Sequence, residues 1–277
     1  MENLTIFAIW HRLNLMNDQP VHAQRSPGLA LLAWLVLSWC FSAYGDSPGE
    51  TGNQRGRFDI TRTVTQLIDQ PTMESLSETL DPDDEITWQV YVPDSYDPSE
   101  PAGLLVYVSP TPYGRMPSGW QPLFDDENLI WISADRSGNR TRTKSRMLYA
   151  ALAPYVLSDT YEIDPTRIYV SGFSGGGKVA GLVSLRFANL FTGAIYICGA
   201  EYIPIESEAL HAAAISNRYV FFTGGKDFNR SLTRSVYRKY ERAGLTNINL
   251  ISISGMGHET PGRERFRQAV NFLDQRE

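Results

Sequence analysis

The residues best placed to do chemistry lie in Gly172-Phe173-Ser174-Gly175-Gly176, a G-x-S-x-G pattern. A serine in that setting is a nucleophile held on a sharp bend between a strand and a helix. The bend strains the serine backbone and brings the residues two positions either side close together, which is why small residues stand there. Gly172 and Gly176 permit that approach. Gly175 would begin the helix, and its N–H would point at the oxygen of a carbonyl under attack. The competing reading is a glycine-rich phosphate cradle. That needs G-x-x-x-x-G-K-[ST] or G-x-G-x-x-G, and Lys178-Val179 does not complete the first.

A serine hydroxyl is a weak nucleophile at neutral pH and needs a base. The chain has four histidines. His11 and His22 precede an apolar leader-like segment, and His211 sits within a helical stretch, Glu208 to Ala214. His258 lies in Gly255-Met256-Gly257-His258-Glu259-Thr260-Pro261, a loop after the last predicted strand. On such an elbow the chain order is serine, acid, histidine, and His258 fits it. The acid must then lie between residues 174 and 258, at a strand end. Asp227 follows Phe221-Phe222-Thr223 through Gly224-Gly225, a bend that can turn a carboxylate inward. Its bland role is a helix N-cap, since it precedes a helix. Glu201 is the competing acid; Asp227 is preferred for its place after a strand. It would hold the imidazole in one tautomer and steady the imidazolium.

These residues need a scaffold, and the hydrophobic pattern supplies one. Ile86 to Val92 alternates as a strand does, while Gly103 to Val108 and Leu129 to Ala134 are continuous apolar runs, as strands buried on both faces are. Thr143 to Leu157 has helical spacing, with Met147, Leu148, Ala151, Leu152 and Tyr155 on one side. Beyond the elbow the pattern predicts a helix from Gly176, a strand over Gly193 to Cys198, a short helix over Ser207 to Ile215 and a strand over Tyr219 to Thr223. A helix over Leu232 to Ala243, a strand over Asn247 to Ser252 and a helix over Arg263 to Leu273 complete it. Alternation of this kind implies an α/β domain, a mostly parallel sheet with helices on both faces. Ligands of such sheets bind beyond the carboxyl ends of the strands.

The 277 residues are 42% hydrophobic and 20% charged, the balance of one ordinary globular domain, expected over 58–277. The net charge of −6 shows no basic surplus for nucleic acid. Residues 1–45 read as a leader. Arg25 precedes the apolar run from Gly28 to Ala43, and Ala43-Tyr44-Gly45 is a small-x-small exit. Cleavage near Gly45 would give a secreted or periplasmic chain; the alternative is an uncleaved anchor, though the run is short of a membrane span. Residues 46–57 are polar and glycine-rich and read as a flexible tail. Cys40 falls in the leader, which leaves Cys198 alone in an apolar run as an inert buried thiol, with no disulfide and no cysteine metal site.

Val92-Pro93-Asp94-Ser95-Tyr96, the Leu104 to Val108 strand, Ile163 through Gly177 and Gly257-His258-Glu259-Thr260-Pro261 together resemble α/β-hydrolases of the esterase type. The resemblance is to the polyhydroxybutyrate-depolymerase and feruloyl-esterase-like group, and it covers roughly residues 85–277. It implies hydrolysis of carboxylic esters through an acyl-enzyme, with Ser174, Asp227 and His258 as the triad and no metal or organic cofactor. One segment departs from the group. Such esterases carry His-Gly after the strand that supplies the second oxyanion donor, whereas Val108 here is followed by Ser109-Pro110-Thr111-Pro112-Tyr113. Prolines carry no N–H, so Thr111 is the first candidate donor and Tyr113 the next. The short interval between Cys198 and Tyr219 leaves no room for a large cap domain, which suits bulky or polymeric esters. Tyr113, Trp120, Tyr202 and Phe228 fall in loops on the carboxyl side and could line the site, or could simply pack locally. A peptidase with the same triad and a non-catalytic binding protein on the same scaffold are the alternatives.

Overall fold

The computed structural model describes residues 54–68, 79, 81, 83–205 and 207–275. The leader-like segment and most of the polar stretch after it lie outside the described residues. Eight strands form one sheet: β1 (Gly56–Thr63), β2 (Glu85–Val92), β3 (Ala102–Val108), β4 (Leu129–Ala134), β5 (Ile163–Phe173), β6 (Gly193–Ile197), β7 (Arg218–Gly224) and β8 (Ile248–Ile253). Their order across the sheet is β1-β2-β4-β3-β5-β6-β7-β8. β1 and β2 pair antiparallel, as do β2 and β4; every later pairing is parallel. Seven helices accompany the strands among the described residues: α1 (Val64–Leu67), α2 (Gln121–Asp126), α3 (Thr143–Ser158), α4 (Gly175–Arg186), α5 (Glu208–Ser216), α6 (Arg230–Arg242) and α7 (Arg263–Leu273).

The continuous apolar runs serve two cores at once, because successive side chains of a strand point to opposite faces. Leu104, Val106 and Val108 of β3 join Ile130 and Ile132 of β4 under helices α3, α4, α5 and α6. Leu105 and Tyr107 join Leu129 and Trp131 on the other face, under α2 and α7. Both strands are buried along their whole length. Parallel strands covered on both faces have this continuous pattern for this reason.

One expectation needs correction. The tail expected over 46–57 is shorter than that, since Gly56 and Arg57 already belong to β1 and pair with Val92 and Tyr91. From Gly56 on the chain is an edge strand whose residues alternate between the sheet and solvent. The short helix α2 (Gln121–Asp126), where Leu123 and Phe124 are buried, was not anticipated between the loop after β3 and β4. As expected, no large domain caps the carboxyl edge among the described residues: only α5 lies between β6 and β7. No helix among them is long and apolar enough to cross a membrane.

Candidate active site

The elbow is built as the glycines require. Ser174 follows β5 and caps α4 with φ 57° and ψ −118°, a left-handed conformation that costs a non-glycine residue about 1–3 kcal/mol. A Cβ on Gly172 would lie 2.4 Å from the Gly176 carbonyl, and one on Gly176 would lie 1.8 Å from the Val108 oxygen. Either contact would push the bend open. From the other side the Ser174 N–H donates to the Ile197 carbonyl at 2.8 Å, so β6 fixes the turn. Gly175 is the first residue of α4, and its N–H has no acceptor within the helix.

The other two residues arrive on neighbouring strand ends that hold each other. Gly225 N–H donates to Ile253 O at 2.8 Å, and Lys226 N–H donates to Met256 O at 2.9 Å. The turn carrying Asp227 is thereby tied to the loop carrying His258. His258 Nδ1 lies 2.7 Å from Asp227 Oδ1, and His258 Nε2 lies 2.8 Å from Ser174 Oγ. With the first nitrogen protonated and donating to the carboxylate, the second is free to accept the serine proton. Asp227 Oδ1 also accepts the Asn229 N–H at 3.0 Å. Neither Asn229 nor Thr223, whose hydroxyl sits 3.4 Å from Asp227 Oδ2, was marked by any motif. Glu201 is turned elsewhere: its carboxylate accepts the Tyr202 N–H at 3.2 Å.

The aromatic candidates divide. Phe228 is 76% exposed and stacks on the His258 ring, with centroids 3.9 Å apart. Tyr113 is exposed on the loop after β3, beside the Arg115 guanidinium. Tyr202 is partly buried and packs edge-on against Tyr240 of the core. Trp120 is a correction: it is 1% exposed and stacks on Phe266, and its indole donates to the Pro261 carbonyl at 2.9 Å. A tryptophan that large is drawn under the sheet, and it braces the loop holding His258 instead of meeting solvent.

The loop after β3 also behaves differently from expectation. The Thr111 N–H donates to Ser109 Oγ at 3.1 Å, so the amide nominated for the oxyanion is engaged locally. The buried Arg146 guanidinium holds Ser137 O at 2.7 Å and Ser109 O at 3.0 Å, which locks this loop to the one after β4. Burial pulls that guanidinium down to about 10. Asp135, directly after β4, accepts the Gly114 N–H at 2.7 Å.

Cys198 lies beside Asp227 and His258. Its thiol, Asp227 and His258 offer three ligand atoms within 4.8 Å of one another. Burial, with the Asp227 charge next, pushes the thiol up to about 12, so at neutral pH it stays protonated and is a poor metal ligand.

No family model matches the chain, and no curated protein matches it in sequence. Solved structures do match in fold. A ferulic acid esterase aligns with a TM-score of 0.55 at 14% identity, over 79% of this chain and 99% of its own. The S-formylglutathione hydrolase of Staphylococcus aureus aligns at 0.58 and 10% identity, over 79% and 98%. A Bacteroides ovatus protein assigned as a dipeptidyl aminopeptidase IV aligns at 0.54 and 16% identity, over 84% of this chain and 37% of that one. The elbow at the end of β5, the strand order and these likenesses agree on one architecture: the chain has the α/β-hydrolase fold.

Proposed function

We propose that this protein is a serine hydrolase that cleaves carboxylic esters through an acyl-enzyme. The observation that carries the reading is the unbroken hydrogen-bonded chain from Asp227 through His258 to Ser174 on a strained elbow. Ser174 Oγ attacks the ester carbonyl as His258 Nε2 takes its proton. The Gly175 N–H stabilises the oxyanion. The imidazolium, steadied by Asp227, returns the proton to the departing alkoxide. Water then enters, gives a proton to His258 and attacks the acyl-enzyme, and Ser174 is reprotonated as the acid leaves. Tyr113 and Phe228 are the aromatic side chains best exposed to meet the substrate. Among the described residues only α5 lies between β6 and β7, which supports access by bulky or polymeric esters. The leader-like sequence supports a secreted or periplasmic site of action.

The fold serves peptide cleavage too, so the test must separate bond types. A fluorophosphonate probe should label the wild-type protein and not Ser174→Ala, and p-nitrophenyl acetate should turn over while peptide anilides do not. An intact, unlabelled wild-type protein would overturn the nucleophile; turnover of anilides alone would make it a peptidase.

A further inference from the structure

The oxyanion needs a second donor, and the amide expected first to provide it, that of Thr111, is engaged locally. Pro110 and Pro112 have no N–H. Thr111 spends its N–H on Ser109 Oγ and its hydroxyl on the Tyr113 carbonyl. Another polar group stands beside Gly175. Asn139 belongs to the loop after β4, and its N–H donates to Pro110 O at 3.0 Å. Gly138 presses that loop onto the first: a Cβ there would lie 2.7 Å from the Thr111 carbonyl carbon. The Asn139 side chain thereby reaches the elbow. A Cβ on Gly175 would lie 2.1 Å from Asn139 Oδ1 and 3.0 Å from Nδ2, so the amide fills the space that any other residue at 175 would occupy. Among the described residues the Asn139 amide has no hydrogen-bond partner, although the backbone beneath it is pinned.

We propose that the Asn139 side-chain amide is the second oxyanion donor, acting beside the Gly175 N–H; this rests on the ester-hydrolase reading above. A half-turn about the last side-chain torsion exchanges Oδ1 and Nδ2, so either face of the planar amide can meet the incoming oxygen. No proton is transferred. The Nδ2–H bond shortens its contact as charge collects on the carbonyl oxygen, and relaxes when the carbonyl re-forms. Side-chain amides serve in this way, and deleting one such donor lowers kcat about 10²–10³-fold. The glycine at 175 then has a second reason to be there: it lets the amide close on the oxyanion position.

The test compares wild type, Asn139→Leu, Asn139→Ala and Ser109→Ala with p-nitrophenyl acetate and with a trifluoromethyl ketone, whose adduct with Ser174 carries the same oxyanion. Both Asn139 variants should lose about 10²–10³ in kcat with KM little changed, and the ketone should weaken in proportion to the loss in kcat/KM. Ser109→Ala, which frees the Thr111 amide, should stay within about threefold of wild type. Wild-type kcat in the Asn139 variants would overturn the assignment, and so would a fall in kcat that ketone affinity does not follow, since that marks only a displaced loop. A wild-type protein that neither hydrolyses the ester nor binds the ketone would instead remove the hydrolase reading beneath it.

Discussion

At the scale of single residues, the candidate triad is graded by exposure. The Asp227 side chain is fully enclosed, while that of His258 keeps 18% of its surface. Phe228 covers part of the imidazole ring from the open side. An enclosed carboxylate this close fixes a tautomer, and an amide in its place would fix the wrong one. Asp227→Asn should therefore lose about 10⁴ in kcat with its thermal midpoint little moved, because the shape and the Asn229 contact survive. Glu201→Gln should keep wild-type turnover. The reverse pattern in steady-state rates would transfer the acid role to Glu201. The sequence singled out Ser174 and His258 on motif and order, and preferred Asp227 to Glu201 for its place after a strand. The path of β7 and the pinning of Gly225 and Lys226 to residues 253–256 bring Asp227, and not Glu201, to His258.

At the scale of elements, the elbow is a junction of three strands. β3 presses its last carbonyl against Gly176, β6 holds the Ser174 N–H, and β5 feeds the bend. A methyl group at Gly176 would overlap the Val108 oxygen, which is backbone in the middle of a sheet and cannot yield cheaply. Gly176→Ala is expected to lower unfolding free energy by about 3 kcal/mol or more, read from urea titration. A loss below about 0.5 kcal/mol would mean that β3 and α4 are not packed as described. The pattern of small residues in the sequence anticipated this crowding at Gly172 and Gly176. It did not anticipate Gly138, Gly224 or Gly199, whose contacts come from other loops.

At the scale of the whole molecule, the two cores carry buried acids in their neutral forms. Burial pushes the Cys198 thiol up to about 12 and raises the phenols of Tyr107, Tyr169 and Tyr196 above their ordinary range. The folded chain thus keeps protons that the unfolded chain begins to release above about pH 9. The state that binds more protons loses ground as pH rises, so stability should fall from about pH 9 upward and be unaffected by these groups below it. Burial of the Arg146 guanidinium acts in the opposite sense, but it is one group against these four acids. Urea midpoints at pH 8 and about pH 10.5 measure the balance; an unchanged or higher midpoint at the alkaline value would contradict it.

Local pattern determined the alternation of strands and helices, the two-sided burial of β3 and β4, and the elbow with its serine. Each is a property of contiguous residues, set by side-chain period and by where a bend tolerates only glycine. The partners of that serine are a different matter. His258 is 84 positions away from Ser174, and Asp227 meets His258 across 31. Their meeting depends on sheet order. The same holds for Trp120, whose loop position suggested exposure and whose ring is drawn under the sheet by Phe266. It holds too for Asn139, which no motif marks, and which reaches Gly175 only because β4 lies beside β3 and carries its loop over the elbow. Sequence sets what each segment can form; the sheet order decides which side chains then share one small volume.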